Sequence, residues 1–208
     1  MDFEELLDLV GFDPVFETEL LLMEGDEPSA VHRQLAEWVD AGWLYQLRLG
    51  VYALAPPFQR VRPHPFVVAN HLVRGSYVSL LSALSHYGLI PRHDLSAVTV
   101  SVASVRPARW HLQLGEYEFR HLRGELLTGF RWVRLPGGQE ACVATPEKAL
   151  LDLVYLDPKA DSPEALRRLH LHSLQSLDLY ELHRQAEITG KTRLRQAAEW
   201  ISALAQRS

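Results

Sequence analysis

Residues 28–57 read PSAVHRQLAEWVDAGWLYQLRLGVYALAPP, and the spacing of their apolar positions changes halfway through. In the first half Val31, Leu35, Trp38 and Val39 recur at i, i+4, i+7 and i+8, the stripe of a helix that buries one face. Pro28 suits the first helical position, where its missing N–H costs nothing, and Gly42 suits the left-handed cap after the last turn. From Trp43 onward two short β-like runs, 43–47 and 51–54, flank a tight turn at or before Gly50. Pro56 and Pro57 end the unit, because neither can donate to a continuing ladder.

Upstream, Phe3, Leu6, Leu7 and Val10 have helical spacing, with Gly11 as a stop. A second short helix is expected over 17–23, followed by a turn at Gly25-Asp26-Glu27. Three short helices and a hairpin predict a winged helix-turn-helix over residues 1–62. Three helices alone would bury little, and the hairpin closes the side of the core.

Downstream, residues 63–208 predict a larger mixed α/β domain, so the whole chain is expected to be α+β. Arg60 to Pro65 resemble a linker. Residues 66–72 fit either a helix or a strand. Ser76 is placed to cap a helix running to His86, with Tyr77, Leu80, Leu81 and Leu84 buried and Gly88 as the stop. Residues 97–144 alternate with period two, as in Val98, Val100 and Val102, and imply at least four strands in a mainly antiparallel sheet covered by helices. Thr145-Pro146-Glu147 opens a further helix with a cap, a first-turn proline and a first-turn acid, and Asp157-Pro158 closes it. Ser162-Pro163-Glu164 repeats the opening signal, and two last helices are expected over 178–188 and 192–206.

Composition excludes several classes. The 208 residues are 47% hydrophobic and 23% charged, an ordinary globular balance. Cys142 is the single cysteine, so neither an intrachain disulfide nor a thiolate metal cluster can form. No run approaches the roughly 20 apolar residues of a membrane span, and the acidic N-terminus lacks the pattern of a signal peptide. A soluble, cytoplasmic protein with no membrane partner is expected. There is no His-Glu-x-x-His pattern, phosphate-binding glycine loop or Gly-x-Ser-x-Gly elbow, so neither catalysis, a cofactor nor a metal is expected. Cys142 lies in an apolar run and is read as a packed small hydrophobe. Lys148 and Asp152, at i and i+4, are read as a helix ion pair with Asp152 on the polar side.

Three stretches carry a resemblance to a known family. They are WVDAGWLYQLRLGVYALAPP (38–57), SYVSLLSALSHYGLI (76–90) and ATPEKALLDLVY (144–155). In order and spacing they resemble the AbiEi antitoxins and transcriptional regulators of abortive-infection, type IV toxin–antitoxin systems. The resemblance implies a winged domain that binds double-stranded operator DNA and represses its own operon. It also implies a C-terminal domain that counteracts a nucleotidyltransferase-like toxin, through a functional link rather than a stable complex.

In such a fold the helix after Pro28 would be the recognition helix, with Ser29, His32, Arg33 and Gln34 available to a major groove. Arginine can bond twice to guanine and glutamine twice to adenine. Ser29 could instead cap the helix, and Arg33 could instead pair with Glu37. Arg48 would serve the wing, and Arg60 and Arg62 the backbone. Charge opposes this reading: residues 1–62 hold 12 acidic and 4 basic side chains, with Glu24, Asp26 and Glu27 just before the helix. A homodimer would compensate by presenting two modules to a palindrome. The alternative is a winged domain that no longer binds DNA and holds a protein partner. The arginines at 106, 109, 120, 123, 131 and 134 are open to four readings: a nucleic-acid surface, a surface for an acidic patch on a toxin, a surface for the acidic N-terminal domain of the same or another subunit, or a mixed-charge sheet face.

Overall fold

The computed structural model describes residues 1–22, 27–91, 98–157, 160 and 162–206. Helix α1 (Phe3–Val10) opens on a capping box, in which the Asp2 carboxylate accepts from the Glu5 N–H and the Glu5 side chain accepts from the Asp2 N–H. Strand β1 (Phe16–Glu17) follows, then a short 3-10 helix, Thr18–Leu21. The second α-helix expected over 17–23 is therefore replaced, as far as these residues are described. Phe16 stacks on Tyr52 at 5.9 Å, and the Thr18 N–H donates to the Gly50 carbonyl at 3.0 Å. These contacts hold Phe16 and Glu17 extended beside β3, leaving only the short 3-10 turn from Thr18. Residues 25 and 26 of the expected turn lie outside the described residues.

Helix α2 (Pro28–Asp40) has its expected limits, with Pro28 at its start and Leu35 and Trp38 buried. Strands β2 (Leu44–Arg48) and β3 (Val51–Leu54) form an antiparallel ribbon with a bulge between Gln46 and Arg48. Gly50, at φ +76°, takes the left-handed position of its turn. With β1 they make a three-stranded sheet, order β1-β3-β2. Leu6, Val10, Phe16, Leu35, Trp38, Leu44, Tyr52 and Leu54 fill one core. Leu47, Val51 and Ala53 point the other way along the same ribbon, into the core of the larger region. Fully burying a leucine or valine stabilises by about 1.5–3 kcal/mol, so the ribbon joins the two regions through its apolar back.

The larger region begins with α3 (Pro65–Leu72), which settles the helix-or-strand ambiguity at 66–72; the His64 ring nitrogen caps it. Strand β4 (Tyr77–Val78) and helix α4 (Leu80–His86) stand where one helix from Ser76 was expected. Tyr77 and Val78 are claimed by the sheet, antiparallel to β5 (Thr99–Ala103) and parallel to β9 (Glu140–Ala144). Leu80 makes the switch from strand to helix at φ +50°. With β6 (Ala108–Leu112), β7 (Gly115–His121) and β8 (Phe130–Arg134), the sheet has order β6-β7-β5-β4-β9-β8. It is more mixed than expected, since β5–β7 and β4–β9 are parallel.

Helix α5 (Pro146–Leu156) is capped by the Thr145 hydroxyl, as its sequence predicts, and ends against Asp157; Pro158 lies outside the described residues. Helices α6 (Pro163–Arg168), α7 (Leu179–Ile188) and α8 (Thr192–Ala205) complete the chain. Asp152 is not on a polar surface: it is 1% exposed and Lys148 is buried beside it. The Lys148 ammonium bonds one carboxylate oxygen, while the Tyr77 and Ser79 hydroxyls donate to the other at 3.0 and 2.8 Å. Burial pushes the Asp152 carboxyl up, against the pull of Lys148 and the two hydroxyls. Cys142 is buried, as expected, and burial raises its thiol to about 11.

Candidate nucleic-acid interface

Helix α2 packs its Leu35 and Trp38 edge inward, so Ser29, His32, Arg33, Ala36, Glu37 and Asp40 are exposed. Ser29 does not cap the helix: Glu27 holds that position and makes no side-chain capping bond. Arg33 does not pair with Glu37, whose carboxylate instead accepts from Gln34 at 3.1 Å. Among the described residues the Arg33 side chain has neither an ion pair nor a hydrogen bond. Gln34 is half-buried and engaged, and thus less available than its position suggests.

The exposed ridge has two flanks. On one, Arg33 and Gln34 line a groove against α1 together with Glu5, Asp8 and Glu27. On the other, His32, Ala36 and Asp40 share a groove of about 380 Å³ with Gln46, Leu49 and Tyr52 of the ribbon. Leu49, at the ribbon tip, is 80% exposed. Tyr52 is core, and its hydroxyl accepts from Gln46 at 3.2 Å. Gln46 and Leu49 escaped the sequence analysis as groove-lining residues. The bulge between Gln46 and Arg48, which sequence does not announce, re-aims the side chains there.

Arg48 is turned toward α3 of the larger region. Its guanidinium donates to the His71 carbonyl at 3.0 Å and to the Leu49 carbonyl at 3.1 Å. His71 is in the last turn of α3, where carbonyls lack helical partners and a cation is favoured. Around this contact, Arg74 pairs with Glu17 and lies 3.6 Å from Glu19, and the His71 ring lies 3.4 Å from Glu17. Burial alone would raise the Glu17 carboxyl, but the bonds from Arg74 and His71 outweigh it and hold it below the usual range. Part of the acidic charge of the N-terminal region is thus answered from within the chain.

Arg60 and Arg62 are exposed but line a different groove, with His64, His111, Glu116 and Gln139. The Arg60 guanidinium lies over the Phe12 ring, 5.2 Å from its centre, and the Arg62 carbonyl accepts from Gln139 at 3.0 Å. In the larger region the arginines are mostly matched locally. Arg109 and Arg120 both meet Glu118, Arg123 lies near Glu125, and Arg134 lies 3.6 Å from Glu140. This favours the mixed-charge surface over a continuous basic face. Among the described residues no group of His, Cys, Asp and Glu is arranged to hold a metal, and no helix is long and apolar enough to cross a membrane.

The chain is therefore an α+β protein, with an N-terminal helix-and-strand region backed onto a larger sheet-plus-helix region. Its fold is similar to that of the RV2827C protein from Mycobacterium tuberculosis, known from a crystal structure. The two share a TM-score of 0.57 and 18% sequence identity over 95% of this chain and 75% of that one. No family model and no curated protein matches the chain.

Proposed function

We propose that this chain is a DNA-binding transcriptional regulator whose residues 1–62 act as a winged helix-turn-helix. The observation that carries the reading is the outward ridge of α2: Ser29, His32 and Arg33 stand exposed, with the Arg33 side chain unpaired among the described residues, beside a groove that Gln46 and Leu49 of the ribbon line. A helix of 13 residues can lie in a major groove while the ribbon follows the adjoining backbone. Ser29, His32 and Arg33 are the base-reading group, with Gln34 at its edge. Gln46 and Leu49 flank it on the ribbon. Arg60 and Arg62 serve the backbone from the linker, and a phosphate would have to compete with the His71 carbonyl for Arg48. The resemblance to AbiEi proteins extends the proposal to repression of an operon that encodes a nucleotidyltransferase-like toxin, which the larger region counteracts. A salt-dependent titration against the DNA upstream of the gene tests it. Specific binding is expected, with Arg33→Ala changing the preferred sequence; folded protein that shows no specific binding at low salt would defeat it.

A second reading rests on the charges around the ridge. Glu5, Asp8, Glu27, Glu37 and Asp40 are all exposed and repel phosphate. In that reading the ridge holds a basic protein partner, and the titration finds no DNA complex.

A further inference from the structure

Among the described residues strand β8, FRWVR, forms one edge of the six-stranded sheet and pairs only with β9. The Gly129 carbonyl accepts from the Thr145 N–H, and the Leu135 N–H donates to the Gln139 carbonyl, both toward β9. In an antiparallel ladder that orientation alternates, so Phe130, Trp132 and Arg134 turn their backbone N–H and C=O groups outward. None of these outward groups has a partner in a described loop or turn. The side chains of the same three residues share one face, and they are 43%, 69% and 90% exposed.

The opposite edge, β6, is finished differently. Its Arg109 is tied to Glu118, His111 lies 3.4 Å from Glu116, and Trp110 packs against the core. A guarded edge carries charge and little exposed apolar surface. The β8 edge instead carries an exposed Trp132 between Arg131 and Arg134, preceded by Phe130, whose half-exposed ring stacks on Tyr77 at 4.8 Å.

We propose that β8 is a homodimer interface, joining two copies edge to edge in an antiparallel register centred on Trp132. Among registers that let outward groups meet outward groups, this one sets Trp132 on its own copy and Phe130 opposite Arg134 of the second chain. Arg131 then faces Val133. Every cation meets an aromatic or aliphatic side chain, and no like charges stand opposite each other. Centring on Arg131 would stack that arginine on its copy, and centring on Val133 would leave Phe130 unpaired. The chosen register adds about six backbone hydrogen bonds and continues one sheet through both subunits. The proposal stands independently of DNA binding, since β8 belongs to the larger region.

Sedimentation of the full chain over a dilution series tests it. The unaltered chain is expected to dimerise, and Trp132→Lys to raise the dissociation constant by roughly thirtyfold or more, the loss of a central aromatic anchor. Phe130→Glu and Phe130→Arg separate this register from any other: the first meets Arg134 of the second chain and preserves the dimer, and the second weakens it. Trp132→Cys should cross-link under mild oxidation, because directly opposed strand residues approach within disulfide reach. Thermal unfolding of each variant confirms that it is folded. A chain that stays monomeric, or a dimer that survives Trp132→Lys, overturns the proposal. So does a monomer that gains mass only on adding an acidic peptide or a single-stranded oligonucleotide, which would assign the edge to that occupant.

Discussion

The Arg48 guanidinium reaches from the ribbon to the His71 carbonyl at the end of α3, 3.0 Å away and 23 residues along the chain. The side chain that the sequence offers to DNA is thus engaged in holding the ribbon against the larger region. Leu47 and Val51 are buried on the same side, so the polar contact finishes an apolar one. Removing it should cost about 1–2 kcal/mol, the worth of a charge-assisted hydrogen bond that is partly open to water. Arg48→Ala should therefore lower the melting midpoint by about 2–4 °C for each kcal/mol lost. Calorimetry decides: an unchanged midpoint would mean that water replaces the arginine at no cost.

How much of this was legible in the sequence depends on what each element packs against. Helix α2 and the ribbon were readable because stripe, first-turn proline and turn glycine all agree locally. Tyr77 and Val78 were misread because an apolar pair fits a helix stripe and a buried strand equally well, and only their partners in β5 and β9 choose. Asp152 was misread for a related reason. Its i, i+4 lysine looks like a surface pair until Tyr77 and Ser79, some 73 residues or more away in sequence, are brought onto it. The only available signal was that these four residues fall in two of the stretches that resemble one family. At the candidate interface the exposed ridge was legible from helical phase. The destination of Arg48 was not, because it depends on where α3 ends.

If the α2 ridge meets a duplex, its own acids oppose it. Glu37 and Asp40 are exposed on that ridge, and neither belongs to a buried ion pair. Glu37→Gln together with Asp40→Asn should strengthen DNA binding by about tenfold at low salt, by removing two charges from a phosphate-facing surface. The gain should shrink as salt rises. An equal gain at all salt concentrations would point to a refolded surface, and a loss of binding would mean that these acids face away from the duplex.

Acid should act on Glu181 in a defined window. Its carboxylate accepts from Arg184 at 2.7 and 2.6 Å and from Gln185 at 2.7 Å, which lowers its pKa from the ordinary 4.5 to about 2. The fold therefore favours the charged form. The stabilisation is complete above 4.5 and disappears as pH falls through about 2. Glu181→Gln should flatten the loss of stability across that interval relative to the unaltered chain, and should destabilise most near neutrality. A variant whose midpoint runs parallel to that of the unaltered chain from pH 5 to 2 would refute the assignment.

The buried pair beneath Tyr77 offers the sharpest contrast between breaking an interaction and replacing it. Asp152→Ala would leave the Lys148 ammonium buried without its counter-charge and strip two hydroxyls of their acceptor. The expected cost is about 3–5 kcal/mol, a large part of the stability of an ordinary domain. Lys148→Met with Asp152→Leu removes both charges and fills the space with apolar atoms. Most of the loss should then return, since well-packed apolar residues commonly match a buried ion pair. The hydroxyls of Tyr77 and Ser79 stay unpaired in that double variant, so recovery should be incomplete, and adding Tyr77→Phe should restore more. Denaturant unfolding of the three variants measures each step. If the double variant is no more stable than Asp152→Ala, the charge of Lys148 is not what makes the single change costly, and the loss belongs to the hydroxyl network instead.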